Sequence, residues 1–321
     1  MADNDNIYSK LGVSSKKEDV HKAIEKLDKG LFPGAFCKIV EDVSGRKGYC
    51  SIFHADGAGT KSSLAYMYYK ETGDISIFRG VVRDAVVMNI DDILCVGATG
   101  NMFLSNNLGR NKSFISGEIL ATIIGEYYTY SEKLTSLGLN VIMCGGETAD
   151  VGDVVKTVLL DASVFTNMKR ENVINAINIR KDDVIVGLAS SGKASYEEEY
   201  NSGIGSNGLT LARHGLLSHE YYTKYPECYN QDLEEDLIFF GRYKLTDPIK
   251  DLNLNVGKAL LSPTRTYSPI IVEVLKNYRT KIHGIIHNTG SGQVKNLNYG
   301  KGIKYIKNNL LALPKIFELI Q

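Results

Sequence analysis

The feature that most constrains this chain is a pattern repeated in its first half: a short apolar strand running straight into a glycine turn that carries an acid. Tyr49-Cys50-Ser51-Ile52-Phe53-His54 reads as a strand and leads into Ala55-Asp56-Gly57-Ala58-Gly59-Thr60-Lys61. Asn140 to Met143 does the same ahead of Cys144-Gly145-Gly146-Glu147-Thr148-Ala149-Asp150. A helix is expected through Leu64, Ala65, Met67 and Tyr68, and the apolar spacing of Val82, Ala85, Val86, Ile90, Ile93 and Leu94 fits another. Ile119 to Leu137 forms a longer one, closed by Gly138. Asn101 to Ser105 reads as a short strand and Val154 to Phe165, rich in β-branched residues, as a further one. Strands alternating with helices predict a layered α/β domain.

The second half reads less regularly. Lys169 to Asp183 is the expected crossover to another domain, because a new strand, Val184 to Ala189, is predicted after it. A Tyr- and Glu-rich stretch, Tyr196 to Asn201, precedes the glycines of Gly203-Ile204-Gly205-Ser206-Asn207-Gly208. Residues 218–245 are acidic and aromatic with little period, which predicts a loop or surface insertion. A helix (268–278), a strand (282–287), a glycine turn and a terminal helix (313–321) follow. Residues 1–46 read as polar and irregular, apart from a helix from Lys17 to Leu27. The length of 321 residues suits two ordinary domains.

Composition narrows the function classes. With 37 basic and 37 acidic residues the formal net charge is zero, which argues against a nucleic-acid footprint. No run reaches the roughly 18 apolar residues of a spanning helix, so no membrane role is expected. The polar, acidic N-terminus lacks the basic and apolar regions of a secretory signal. The five cysteines (Cys37, Cys50, Cys95, Cys144 and Cys228) are odd in number and never form a C-x-x-C pair, which predicts buried reduced thiols in a cytoplasmic protein.

Three acidic positions, Asp56, Asp91-Asp92 and Glu147 with Asp150, lie at strand ends, on a helix face or in glycine turns. Mg²⁺ takes a few carboxylate oxygens and shares its remaining shell with water and phosphate, so carboxylates from separate loops suit an ion bridging nucleotide phosphates. In Asp56–Lys61, Asp56 would hold metal, Gly57 and Gly59 would shape a phosphate-facing turn, and Lys61 would offer a cation. The alternative is a strand-to-helix turn with Asp56 as its N-cap. Adjacent Asp91 and Asp92 in an apolar helix repel each other unless a cation joins them or one faces solvent. Gly145-Gly146-Glu147 is either a tight turn or a ligand loop.

In this order the segments resemble the aminoimidazole ribonucleotide synthetase (phosphoribosylformylglycinamidine cyclo-ligase) family, which carries D-G-x-G-T-K, N-D-x-x-x-x-G-A and G-G-E-T-A-E. The second half continues the resemblance. Ser190-Ser191-Gly192 with Ser206-Asn207-Gly208 is similar to the family's split S-S-G…S-N-G loop. Pro263-Thr264-Arg265-Thr266-Tyr267 is similar to its P-T-R-I-Y, and His287-Asn288-Thr289-Gly290-Ser291-Gly292 to its H-I-T-G-G-G. The resemblance implies an α/β (α+β) chain of two domains, each a mixed sheet flanked by helices. Residues 1–168 would bind ATP and dimerise, and 169–321 would form the C-terminal domain. It implies ATP and Mg²⁺ as cofactors, a homodimer, and ring closure of formylglycinamidine ribonucleotide in purine biosynthesis. Asp56, Asp92 and Glu147 would be metal ligands and, with Lys61, the catalytic set. ATP would also meet Gly57, Gly59, Thr60, Gly145 and Gly146. Ser191, Gly192, Ser206, Asn207, Arg265, Gly290 and Gly292 would face substrate.

Several positions depart from the family pattern. Asp91 stands for Asn and adds negative charge near the expected metal; Asp150 stands for Glu; Ser9 and Lys10 replace a Lys-Asp pair. Tyr196–Ile204 is an insertion, Gly205 replaces a His, and Ser291 a Gly. The family also continues past a helix like Pro314–Gln321 into a closing strand with N-x-G-x-G-M, which predicts a C-terminal domain lacking its last strands. Two other readings follow: a different ATP-using enzyme of the same superfamily (a kinase or selenophosphate synthetase type), or an inactive homologue acting as a binding protein.

Overall fold

The structure is a computed structural model and describes residues 7–14, 18–250 and 252–321. The polar residues 1–6 and Lys17, the expected start of a helix, lie outside that set; the helix itself runs Glu18–Ile24 (α2), after a short α1 (Ile7–Lys10).

A five-stranded mixed sheet organises the first half. Its strands are β1 (Ile39–Glu41), β2 (Tyr49–Gly57), β3 (Met102–Arg110), β4 (Val141–Asp150) and β5 (Val158–Lys169), in the order β1-β2-β5-β3-β4. β5 is antiparallel to both neighbours, and β3 and β4 run parallel. Alternation is strict where one face is buried: β3 reads buried at Met102, Leu104, Asn106 and Leu108 and outward between them.

Three helices, α3 (Lys61–Thr72), α4 (Ile77–Leu94) and α5 (Gly117–Ser136), cover the inner face. α5 begins where Ser116 Oγ accepts from the Ile119 N–H at 3.3 Å. Its apolar stripe of Ile119, Ile123, Tyr127 and Leu134 is buried. Among the described residues no helix covers the outer face, which exposes Phe53, Phe103, Ile142 and Leu159.

The second half folds differently. It contains α6 (Leu209–Leu216), α7 (Glu220–Lys224), α8 (Val256–Leu260), α9 (Ser268–Tyr278) and α10 (Lys315–Ile320). Among the described residues it has no strand ladder, only isolated bridges such as Gly192 with Asn201. The mixed sheet expected of the class therefore stands in the first half alone, and the strands expected at 184–189 and 282–287 do not form. The first of them shows why: Val184 is 87% and Val186 80% exposed, and an extended segment without a neighbour gains no ladder hydrogen bonds. The stretch 218–245 corrects the sequence reading in the other direction. Far from a surface insertion, it buries Tyr221, Tyr225, Tyr229 and Phe239 as a cluster of stacked and edge-on rings.

Candidate active site

α4 joins the two halves through its acids. Asp84 and Asp91 lie seven residues apart and share a face of the helix; both are buried, as is Asp92. Each takes hold of a loop from the second half. Asp84 Oδ1 accepts from the Thr264 N–H and hydroxyl, both at 2.6 Å. Asp91 accepts from the Thr266 hydroxyl at 2.9 Å and the Tyr267 N–H at 2.8 Å. Asp92 pairs with His287 Nδ1 at 2.7 Å and with His54 Nε2, on β2, at 3.4 Å.

Neither of the adjacent acids faces solvent, and their environments pull them apart. Burial raises Asp91 to about 6. Burial also pushes Asp92 up, but hydrogen bonds from His287 and His54 outweigh it and hold the carboxyl down at about 2. The extra charge that Asp91 brings relative to the family pattern is thus spent on Thr266 and Tyr267, away from any ion.

Two expected ligand-facing cations are committed elsewhere. Lys61 is fully buried, with Nζ 3.0 Å from both Asp84 oxygens, and donates to Gly205 O at 3.0 Å and Ser262 O at 2.6 Å. Three donors are all an ammonium has, so the expected phosphate contact is replaced by a tether between the halves. Arg265 uses its whole fork. It donates to Glu197 through Nε and Nη2, and to the carbonyls of Ala189, Ser191 and Gly192. The alternation in Pro263–Tyr267 explains this: Thr264 and Thr266 turn toward α4, so Arg265 turns toward the 189–197 loop. The insertion is pinned there, with the Tyr196 hydroxyl on Thr266 O at 2.9 Å and Glu198 on Lys133 at 3.1 Å.

What the structure does bring together is a pair of glycine turns. Gly59 (φ 58°) precedes α3 and Gly208 (φ 77°) precedes α6, both in the left-handed region that glycine adopts freely. Neither helix start has a side-chain cap, so apart from the Ser62 N–H, which donates to Gly59 O at 3.4 Å, their first-turn N–H groups remain open to an anion. Thr60, not Asp56, occupies the N-cap position of α3, without a side-chain cap, and Asp56 Oδ1 accepts from the Gly57 N–H at 2.7 Å. The Thr60 and Thr210 hydroxyls meet at 3.4 Å, so the two turns form one pole. Ser206 reaches Thr264 at 3.5 Å, and a side chain at Gly290 would lie 3.5 Å from Asn207 Oδ1. Ser206, Asn207 and Gly290 are therefore neighbours, while Ser191 and Gly192 belong to the Arg265 lock.

The three proposed metal acids do not gather in this chain. Glu147 pairs with Asn107 and belongs to the outer face, three strands from β2, which is about 14 Å at normal strand spacing. Asp56 alternates onto the inner face, and both Asp92 oxygens are taken by histidines. Gly145 and Gly146 form the bulge that shifts the register between β3 and β4, beside Asn106. Among the described residues no group of three or more His, Cys, Asp or Glu could hold an ion. One further carboxylate lies beside Asp56. Asp161 is opposite Gly57, where any Cβ would fall 1.8 Å from Asp161 Oδ1. Its carboxyl is raised by partial burial and then by the charge of Asp56. Neither acid has an ion pair among the described residues, and their register places Asp161 in the row of Asn107 and Glu147 and Asp56 in the row of Ala162 and Asn106.

The comparisons with known proteins fall on this frame. Residues 37–166, which cover the sheet, match the AIR synthase related protein, N-terminal domain family. The phosphoribosylformylglycinamidine cyclo-ligase of Thermoanaerobacter sp. is 30% identical over 300 residues, 91% of this chain and 72% of that protein. The chain belongs to the phosphoribosylformylglycinamidine cyclo-ligase family. Proteins of the same name from Pseudothermotoga lettingae and Methanocaldococcus jannaschii are each 31% identical; the aligned parts are 83% and 85% of this chain. The chain spans 65% and 64% of the length of those two curated relatives. Among solved structures, thiamine monophosphate kinase from Aquifex aeolicus matches at 11% identity with a TM-score of 0.39, over 83% of this chain and 65% of that one. A likeness that remote has no bearing on the chemistry.

Sequence reasoning passed over Asp84, His54, Asp161, Thr210 and Thr264. Asp84 had a signal, an acid two turns before Asp91 in an apolar helix. The others had none, because their significance comes from partners far away along the chain.

Proposed function

We propose that this chain catalyses the ATP-dependent closure of formylglycinamidine ribonucleotide to aminoimidazole ribonucleotide, with release of ADP and phosphate. The observation that carries the reading is the pole where the turns before α3 and α6 meet. One turn belongs to the motif expected at ATP and the other to the motif expected at substrate. In this reaction ATP phosphorylates the formamide oxygen, and the substrate's own amine then displaces phosphate from the activated carbon. The protein's share is positioning and neutralisation of charge.

Uncapped N–H groups of Gly59–Lys61 and Gly208–Leu211 would hold phosphate oxygens, and Ser206, Asn207 and the 290–292 turn would orient the substrate. Asp56 would hold Mg²⁺, which neutralises nucleotide phosphate charge when bound. Asp92 and Lys61 contribute by holding the loops that carry these groups. A division near residue 168 keeps the sheet in one unit and the tethered loops in the other.

The outer sheet face supports a homodimer. Phe53 is 66% exposed on the same face as Phe103 and Ile142, and a sheet covered on one face only leaves apolar surface for a second copy. No described helix is long and apolar enough to cross a membrane, and four of the five cysteines are buried free thiols, in keeping with a cytoplasmic enzyme. The inactive-homologue reading is favoured by one observation: Lys61 and Arg265, expected at the ligands, have no donor left to give.

A coupled ADP-release assay on the purified chain tests the proposal. Substrate-dependent release with formylglycinamidine ribonucleotide, reduced at least tenfold in Asp56→Asn, is the expected result. Release only with another phosphorylated substrate would move the chain to a different superfamily activity, and ATP binding without release on any would leave a binding protein. Light scattering should give twice the monomer mass, with Phe53→Glu shifting it to monomer.

A further inference from the structure

Arg213 is a buried cation for which the described residues supply no carboxylate. It lies on α6, is 4% exposed, and makes no ion pair among the described residues. Nη1 donates to Ser63 Oγ at 2.8 Å and to Cys228 O at 2.7 Å, whereas the buried Nε has no partner. The guanidinium lies 5.9 Å from the Phe239 ring. Burial lowers Arg213 to about 10, so it stays charged at neutral pH. Lys61, the other buried cation near α3, shows the ordinary solution, a carboxylate at 3.0 Å. Buried charges without a counter-ion are rare because desolvation is not repaid, and an orphaned donor in a buried site calls for an explanation.

The direction in which Arg213 points supplies one. Ser63 is in the first turn of α3, and its hydroxyl donates onward to Thr60 O at 2.9 Å. Thr60 is the uncapped start of the helix and touches Thr210. Ser62, in the same turn, has a buried hydroxyl without a partner. The missing negative charge therefore belongs at the α3 and α6 starts, one helical turn in front of the guanidinium.

We propose that Arg213 is the positioning charge of this pole: a phosphate group bound at the two helix starts is its counter-ion, reached through Ser63 and the first turn of α3. The inference rests on the pole taking phosphate, as proposed above. Phosphate chemistry has two possible sources here, the polyphosphate of a nucleotide or the monoester of a sugar phosphate.

Titration calorimetry on the full chain at two salt concentrations, with inorganic tripolyphosphate and separately with ribose 5-phosphate, distinguishes them. Wild type should bind one of the two more tightly, and that one names the source. Arg213→Met should weaken that probe at least tenfold and flatten its salt dependence, because a charge has been removed. Arg213→Lys should stay within about threefold, since a cation remains even though the fork is lost. Equal affinity and equal salt slope in folded Arg213→Met would overturn the inference, as would an equal loss in Arg213→Lys. Should Arg213→Met fail to fold, Arg213→Lys with its salt slope decides alone: retained slope and affinity support the role, and loss of either refutes it. Wild type binding neither probe would remove the phosphate pole itself, and this inference with it.

Discussion

The two halves of the molecule hold their functional residues in place by different means. From Ile39 to Lys169 the backbone does it: β2, β5 and β3 lie in continuous antiparallel register, so Asp56, Asp161 and Asn107 are placed by ladder hydrogen bonds. Beyond residue 170 no ladder exists among the described residues, and single side chains do the placing. Lys61 and Asp84 fix Gly205, Ser262 and Thr264; Asp91 fixes Thr266 and Tyr267; Asp92 fixes His287; Arg265 fixes the 189–197 loop. A ladder spreads its stability over many weak bonds, whereas a tether concentrates it in a few buried charges. Substitutions within the ladder should therefore be tolerated better than substitutions at the tethers.

The largest expected effect breaks the strongest tether. Lys61→Met leaves the Asp84 carboxylate buried and unpaired, a loss of roughly 3–5 kcal/mol. Urea unfolding should show the second half melting before the sheet; a change under about 1 kcal/mol would mean that the tether contributes little. Arg265→Ala removes the guanidinium's hold on Glu197 and on the Ala189, Ser191 and Gly192 carbonyls and should cost about 3 kcal/mol, with new proteolytic cleavage confined to that loop.

Acid sensitivity sharpens the comparison further. Asp92 is held at about 2, below its ordinary value of about 4. Its contribution is complete above pH about 4 and is lost as pH falls toward 2, an effect of about 2 kcal/mol. Asp92→Asn should flatten that window in a pH series of unfolding measurements. Asp91 has the opposite sign. Held up at about 6, it keeps its proton more firmly folded than unfolded, so stability falls as pH rises from about 4 to 6. Asp91→Asn should remove that decline. The smallest effect belongs to the first half: Thr60→Val removes one exposed hydroxyl contact and should change stability by less than about 1 kcal/mol.

Most of the first half was legible in the sequence, because its elements obey local rules. The strand read at Tyr49–His54, the helical spacing from Val82 to Leu94, and Gly138 after a long apolar period each mark an element that the structure contains. The turn ending at Lys61 was legible for the same reason, whereas Gly145-Gly146-Glu147, read as a turn or ligand loop, lies inside β4. The second half was not. Its aromatic core between Tyr221 and Phe239 has no period to betray it, and the apolar run Val184–Ala189 has the composition of a strand without a partner strand. Among the expected site residues, Lys61, Arg265 and Glu147 were given contacts that the structure assigns otherwise.

By itself the sequence determined the strands, the helices that cover them and the two glycine turns, since backbone period and turn chemistry depend on near neighbours. Only the tertiary structure decided what each charge does. A lysine after a glycine turn serves phosphate or a buried aspartate according to which lies 3 Å away, and that is settled by segments packing together from distant parts of the chain. Lys61 found Asp84 and Ser262; Arg213 found no carboxylate. The same kind of group, buried within two turns of the same helix, was left with opposite tasks.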